Sequence, residues 1–516
     1  LNYRLRKVVN VLRLSELING DRAASNTVLK ELAAAGGLDH DIQGVTSDSR
    51  AVRPGFLFAA LPGNATDGRR FIPDAVARGA VAVLVPRDTD GFGLNTPGIE
   101  AGVCLIADEN PRHRLACIAA RFYEEQPGTV VAVTGTNGKT SVAEFARQLW
   151  RAVGADSASL GTLGLVTSAG RSCPGLTTPD PVVLHACLRD LVAQGVGRVA
   201  VEASSHGLDQ CRLDGVQLRA AAFTNFSQDH LDYHRTMRTY LVAKLRLFSE
   251  LLVEGGTAVL NLDALECPEI MAICRERGVA VTTYGEAKAA HFRIVWREPT
   301  RTGQELSLRI DGREHRVFLP LVGDFQAMNA IAALALVARA DDRDGADYLE
   351  GLASLVGVPG RLQNVGRHPS GAPVYVDYAH TPDALATLLQ TLRPHVSGRL
   401  VCVFGAGGDR DPSKRALMGL AVAEGADRAI VTDDNPRNED PALIRRAVIA
   451  GRLEVLEIGD RQAAIFAGLD GLKDGDALVI TGKGHERGQI VGDIVLPFDD
   501  AEVAGRALSH LAGTTS

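Results

Sequence analysis

The run Thr134-Gly135-Thr136-Asn137-Gly138-Lys139-Thr140-Ser141 sets two glycines ahead of a Lys-Thr pair. Backbone N–H groups of such a turn cradle phosphate oxygens, and the N-terminus of a following helix adds a favourable dipole. Lys139 would neutralise β/γ-phosphate charge, and Thr140 would offer its hydroxyl to Mg²⁺. The common pattern G-x-x-x-x-G-K-[ST] wants glycine at 133, where this chain has Val133; the glycine stands at 135, so the loop is a variant. An ordinary glycine turn before a helix is the alternative reading, and the flanking strand with the Lys-Thr pair weighs against it.

Two further groups join this loop. Residues 198–202 read as a strand ending in Glu202, and residues 221–226 as another, followed by Ser227-Gln228-Asp229-His230. Carboxylate, hydroxyl and imidazole donors beside a triphosphate suit Mg²⁺, which neutralises phosphate charge. Taken singly, Glu202 and His230 read as surface or internally satisfied residues; a shared sheet edge with the phosphate loop makes them metal ligands with Thr140. Lys244 lies among Leu241, Leu245 and Phe248 at helical spacing, where a lone lysine usually snorkels to the surface.

The elements that must hold these groups follow from periodicity. Short β-branched runs alternate with helical patterns, which predicts α/β folds built on parallel sheets. Strands are expected at 81–85, 102–106, 130–133, 374–376, 400–404, 429–431, 455–458 and 477–480. A helix is expected at 141–152, with Val142, Phe145 and Leu149 on its buried face. Open parallel sheets bind ligands at the carboxyl ends of their strands. At 516 residues the chain has room for about three domains of ordinary size.

Composition excludes several classes. With 46% hydrophobic and 23% charged residues the chain buries sizeable cores and is not globally disordered. A net charge of -7, without long runs of one sign, argues against a nucleic-acid binder held by bulk charge. Eight scattered cysteines without a C-x-x-C pair fit neither a zinc site nor a disulfide framework, and point to a reducing compartment. No apolar run approaches the roughly 20 residues needed to span a bilayer. The expectation is a soluble cytoplasmic monomer that acts on small molecules, without nucleic acid or membrane insertion.

The residues 135–141, the run Glu202-Ala-Ser-Ser-His-Gly-Leu-Asp-Gln-Cys-Arg212, and Asn225-Phe-Ser-Gln-Asp-His230 with Lys244 downstream closely resemble the Mur ligases. So do Gly360-Arg361, Asp377-Tyr-Ala-His-Thr-Pro-Asp383 and Gly407-Gly-Asp-Arg410. Asp434-Asn435-Pro436-Arg437 resembles the motif of the members that add diaminopimelate. Each motif is modest alone; their number and order, over nearly the whole chain, make the match specific.

The resemblance implies a three-domain α/β architecture. A small N-terminal α/β domain (1–109) would bind the UDP end of the substrate. A central P-loop ATPase-like domain with a mainly parallel sheet (110–356) would bind ATP. A C-terminal Rossmann-like domain (357–516) would bind the incoming amino acid. The implied reaction is ATP-dependent addition of meso-2,6-diaminopimelate to UDP-N-acetylmuramoyl-L-alanyl-D-glutamate through an acyl phosphate, in peptidoglycan synthesis. ATP would be held by Gly135, Thr136, Asn137, Gly138, Lys139, Thr140, Ser141, Asn329, Arg361 and Asp377. The UDP substrate would be held by Ser47, Ser49, Asn64, Ala65, Thr66, Thr177, Thr178, Ser204, Gln210 and Arg212. Diaminopimelate would meet Arg410, Asp434, Asn435, Pro436, Arg437, Gly482 and Glu486. Lys139, Glu202, His230 and Lys244 would be catalytic. Lys244, carbamylated, would join Thr140, Glu202 and His230 in holding two Mg²⁺ ions. The rival expectations are a lysine-adding or folylpolyglutamate-synthetase-like amide ligase and, in a different class, a P-loop nucleotide switch.

Overall fold

The computed structural model describes residues 11–18, 39–63, 66–87, 89, 102–172, 175–450 and 455–514. Contacts divide the chain into two compact units: Leu1–Tyr284 with Ala335–Asp344, and Gly285–Leu334 with Gly345–Ser516.

Besides a short antiparallel pair, Leu12–Arg13 with Asp41–Ile42, the first unit holds two larger sheets among the described residues. Strands Gly44–Thr46, Phe56–Ala59, Ala80–Pro86 and Cys104–Asp108 pair in sequence order, all parallel. Helix Pro111–Tyr123 starts at proline behind an Asn110 cap and buries Leu115, Ile118, Ala119 and Phe122 against this sheet's core. The larger sheet runs parallel in the order Ser157–Gly161, Arg198–Glu202, Thr129–Thr134, Leu218–Phe223, Leu252–Asn261, Ala280–Gly285. A hairpin, Gly164–Thr167 and Gly170–Ser172, extends its first edge antiparallel. Thr129–Thr134 is central and buried on both faces, as its unbroken Val-Val-Ala-Val run requires.

The second unit begins with an antiparallel meander, Phe292–Thr300, Gly303–Ile310 and Arg313–Leu319. Its main sheet has the order Gln363–Arg367, Pro373–Asp377, Ala477–Thr481, Leu400–Phe404, Arg428–Val431, Leu456–Glu457, parallel except for the first strand. Apolar layers cover both faces, one around Leu385, Leu389 and Val422, the other around Ala464, Ile465 and Ala504.

The expected strands are present, with shifted ends. The strand expected at 102–106 is Cys104–Asp108, and the one expected at 221–226 is Leu218–Phe223. Phe226 has the apolar character of a strand residue, but the ladder ends where Phe223 meets Thr134. The helix expected from Ser141 begins two residues earlier, at Lys139, behind a left-handed Gly138 (φ 85°), and Val142, Phe145 and Leu149 are fully buried. Among the described residues no helix is long and apolar enough to cross a membrane.

Candidate active site

The central strand Thr129–Thr134 delivers the chain into the glycine loop, and helix Lys139–Ala152 carries it away. Gly135 has φ 143°, and a Cβ there would lie 1.9 Å from Thr224 Oγ1, so only glycine fits. The loop is strapped to the segment after the neighbouring strand. Thr136 N donates to Asn225 O (2.8 Å), Asn137 N to Asn225 Oδ1 (2.9 Å), and Thr224 Oγ1 to Asn137 O (2.6 Å). Thr224 N still donates to Thr134 O (3.0 Å), but beyond it Asn225 bonds to the loop, and the strand stops at Phe223. Lys139 folds over the loop it follows, donating to Thr136 O (2.7 Å) and Gly135 O (3.0 Å).

Glu202, at the end of the adjacent strand, is buried and accepts from Thr140 Oγ1 at 2.9 Å. Its carboxylate also accepts from the backbone of Thr162 (2.7 Å) and from Thr162 Oγ1 (3.2 Å). Nothing larger than glycine fits at 161, where a Cβ would sit 2.0 Å from Glu202 Oε1. The expected pair Thr140 and Glu202 therefore meets directly. Thr162 and Gly161 were not foreseen, because a partner 40 residues away on another strand leaves no local signal.

Lys244 is 1% exposed, contrary to the surface position its helical spacing suggests. Helix Met237–Arg246 points it at the loop, and its Nζ donates to Gly135 O at 2.7 Å. The ring of Tyr240, one turn earlier, lies 4.3 Å from Nζ. Burial, reinforced by the nearby charge of Lys139, pushes the amine down to about 6, with Asp229 opposing. The helix then runs into a π turn, Leu247–Leu251. His230 has a left-handed backbone (φ 50°), and its ring packs 5.0 Å from that of His206 and 6.0 Å from that of Tyr240. His230 and Lys244 thus share the Tyr240 ring as a neighbour. Among the described residues no three His, Cys, Asp or Glu side chains form a metal-binding group. The oxygen donors that do meet are Thr140 Oγ1 and the Glu202 carboxylate, the ligand type that Mg²⁺ takes.

The residues expected to bind the UDP substrate fall on the same unit. Thr178 Oγ1 donates to Glu202 O (2.7 Å) and accepts from Ser204 N (3.0 Å), and Ser204 caps the following helical turn through Gly207 N. Thr177 and Thr162 exchange a hydroxyl hydrogen bond at 3.2 Å. Arg212 donates to Thr178 O and Gln210 Oε1, both at 2.7 Å. Gln210 and Arg212 line a cleft with Leu61, Arg112, Leu176 and Asp180. Asp180 was not foreseen; it accepts from Ser47 Oγ at 3.0 Å, and burial holds its carboxyl above the usual carboxylate range. Ser49 is buried in a short helical turn capped by Asp48, and Thr66 stands in an exposed bend. Asn64 and Ala65 lie outside the described residues.

In the second unit, Ala477–Thr481, Leu400–Phe404 and Arg428–Val431 are parallel neighbours, so their following loops leave one sheet edge. Those loops carry Gly482 and Glu486, then Arg410, then Asp434, Asn435, Pro436 and Arg437. Gly482 has φ 109°, and a Cβ there would lie 2.4 Å from Asp434 Oδ2. Arg437 has φ 51°; its backbone donates to Ile490 O (3.0 Å) and its guanidinium to Gly408 O (2.7 Å). Asn435 Nδ2 donates to Glu486 Oε2 at 2.9 Å. Arg361 stacks 4.9 Å over the Tyr378 ring. Asp377 accepts from the backbone of Leu362 (2.7 Å) and Ala379 (2.8 Å), so its carboxylate anchors the residue after Arg361. Gln326 Nε2 donates to Arg361 O at 3.0 Å, and Asn329 Nδ2 lies 3.5 Å from Gln326 Oε1.

A parallel α/β sheet whose central strand feeds a glycine loop and a Lys-Thr helix defines a P-loop nucleotide-binding protein. The Mur ligase family catalytic domain matches residues 41–123, the Mur ligase middle domain residues 133–337, and the Mur ligase glutamate ligase domain residues 360–484. The chain belongs to the Mur ligase family. It is 50% identical over 477 residues to the UDP-N-acetylmuramoyl-L-alanyl-D-glutamate–2,6-diaminopimelate ligase of Caulobacter vibrioides, covering 91% of this chain and 96% of that one. The Bradyrhizobium diazoefficiens enzyme of the same name is 48% identical over 501 residues, covering 96% and 99%. A solved structure of a ligase of that name superposes with a TM-score of 0.70 at 33% identity, covering 93% of this chain and 99% of that one. The MurF ligase of Thermotoga maritima in complex with ADP, at 18% identity and a TM-score of 0.59, shares the fold.

Proposed function

We propose that this chain is the ATP-dependent ligase that joins meso-2,6-diaminopimelate to UDP-N-acetylmuramoyl-L-alanyl-D-glutamate in the cytoplasm, a step of peptidoglycan synthesis. The observation that carries the reading is the full-length identity to ligases of that name, at 50% and 48%, together with the loop geometry around Lys139. The division of labour follows the three segments: 1–109 for the UDP moiety, 110–356 for ATP and 357–516 for the amino acid.

In this reading the γ-phosphoryl group of ATP passes to the D-glutamate carboxylate. A new O–P bond forms, the β,γ-bridging bond breaks and ADP leaves. The amine of diaminopimelate attacks the acyl carbon, the tetrahedral intermediate expels phosphate, and an amide remains after the nitrogen loses its proton. Lys139 swings from the loop carbonyls to the phosphate oxygens and spreads the developing charge. Thr178, Ser204 and Arg212 orient the dipeptide end of the substrate beside Glu202. Lys244, a buried amine held near 6, is largely unprotonated at neutral pH and so nucleophilic toward CO₂; as a carbamate it would stand with Thr140, Glu202 and His230 as a holder of Mg²⁺. Those ions, when bound, offset the repulsion between phosphate oxygens and the attacking carboxylate.

The test is ATP-dependent phosphate release with the UDP substrate, diaminopimelate and lysine being run side by side. Release that requires the UDP substrate and diaminopimelate is expected. Release with nucleotide alone would make the chain a switch, and equal release with lysine would sink the amino-acid assignment.

A further inference from the structure

Lys483, between Gly482 and Glu486, has a side chain with 0% exposure. Its Nζ donates to Asn435 Oδ1 at 3.0 Å and reaches Glu486 Oε2 at 3.3 Å. Asn435 Oδ1 also accepts from Ile490 N at 2.9 Å, while Asn435 Nδ2 donates to the same Glu486 oxygen that Lys483 reaches. Two donors on Oδ1 and a carboxylate at Nδ2 permit one amide orientation, since the flipped amide would face donors with donors. A buried ammonium persists only where it is paired and hydrogen-bonded, and Lys483 meets that condition through two residues of the amino-acid loops.

Charge adds a second argument. Lys483 offsets the charge of Glu486, whose Oε2 it reaches at 3.3 Å; without it the loops would hold an uncompensated carboxylate there. Diaminopimelate with its attacking amine deprotonated carries a net negative charge, because it has two carboxylates and one remaining ammonium. Lysine in the same state carries none. We propose that Lys483 is a positioning and specificity-determining residue: it fixes Asn435 and Glu486 in one arrangement and neutralises the Glu486 carboxylate, which would otherwise repel a dicarboxylic amino acid more than lysine. This rests on the functional reading above.

The experiment uses the full chain, with ATP and the UDP substrate saturating and each amino acid titrated. Lys483→Met removes charge and donor, whereas Lys483→Gln keeps an N–H for Asn435 without the charge. Lys483→Met should raise the KM for diaminopimelate by about 30-fold or more, the low end for breaking a buried charged pair. The KM values for ATP and the UDP substrate should stay within about twofold, a split that general loosening of the fold would not give. Both variants should lose selectivity for diaminopimelate over lysine by about tenfold, the effect of roughly 1.4 kcal/mol. Lys483→Gln should recover part of the KM and none of the selectivity. Unchanged KM and selectivity in folded variants overturn the proposal. So does failure of both variants to fold, which would make Lys483 a purely structural residue. Absence of phosphate release by the wild-type chain with either amino acid sinks the functional reading and this role with it, whereas normal wild-type turnover with indifferent variants sinks this role alone.

Discussion

Lys139 and Lys244 donate to the same atom, the carbonyl oxygen of Gly135, at 3.0 and 2.7 Å. Two lysines 105 positions apart in sequence are thereby set head to head at one loop carbonyl. Their mutual repulsion adds to burial in keeping Lys244 unprotonated.

Replacing Lys139 tests the phosphate site. Lys139→Ala should lower turnover by on the order of 10²–10³-fold or more, the scale of losing one preorganised charge-stabilising group, with the thermal midpoint within a few degrees of wild type. It should also let Lys244 hold its proton more strongly, because a neighbouring cation is gone. Wild-type turnover in a folded Lys139→Ala protein would falsify the assignment.

Lys244→Ala should be inactive, and small carboxylic acids should restore part of the activity by occupying the place of the lost carbamate. Electron density at Lys244 in crystals grown with ATP and Mg²⁺ decides the matter. A bare ammonium there, in a metal-loaded crystal, would rule the carbamate out.

Arg437→Ala should cut catalytic efficiency with diaminopimelate about 30-fold or more, because a guanidinium grips a carboxylate with two parallel N–H bonds. Its bond to Gly408 O uses one nitrogen and fixes the fork's direction. Lysine should remain a poor substrate, since the change creates no contact for it. An Arg437→Ala enzyme with undiminished preference for diaminopimelate would remove Arg437 from the site.

The positions of these groups were legible in the sequence to different degrees. The phosphate loop was plain, because its glycines, Lys139 and Thr140 lie in one local run whose geometry the residue types dictate. Lys244 was not: its neighbours Leu241, Leu245 and Phe248 suit a surface helix equally well, and only the family resemblance marked it. The strand end near Phe226 was misjudged because the Asn225 strap is a tertiary bond with no local trace. Lys483, Thr162 and Asp180 escaped for the same reason, since each acquires its meaning from a partner on a different loop or strand. Arg437 reads as an ordinary turn residue until its left-handed backbone and the Gly408 contact are seen.

A pH dependence follows from His113, whose Nδ1 lies 2.5 Å from the buried carboxylate of Asp214. That bond, with a smaller contribution from Cys117, raises its pKa to about 10. The unfolded chain titrates near 6.5, so between about 6.5 and 10 the folded state binds more protons. The stabilisation is complete below that window and is lost as pH rises through it. The side chain is 43% exposed, so solvent screens the effect. Urea midpoints should fall from pH 7 to 9.5, and less steeply in His113→Ala. Parallel slopes for the two proteins would contradict this.

The π turn after the Lys244 helix has a bearing on how chain length can vary here. A wide turn accommodates one residue more than an α turn over a similar rise. Losing one codon within Leu247–Leu251 would let the segment relax into ordinary helix while leaving everything before it unrotated. Losing one codon between Met237 and Lys244 would instead swing the amine by about 100° around the helix, away from Gly135. A one-residue change of length that preserves the Lys244–Gly135 contact is therefore expected only on the far side of the lysine.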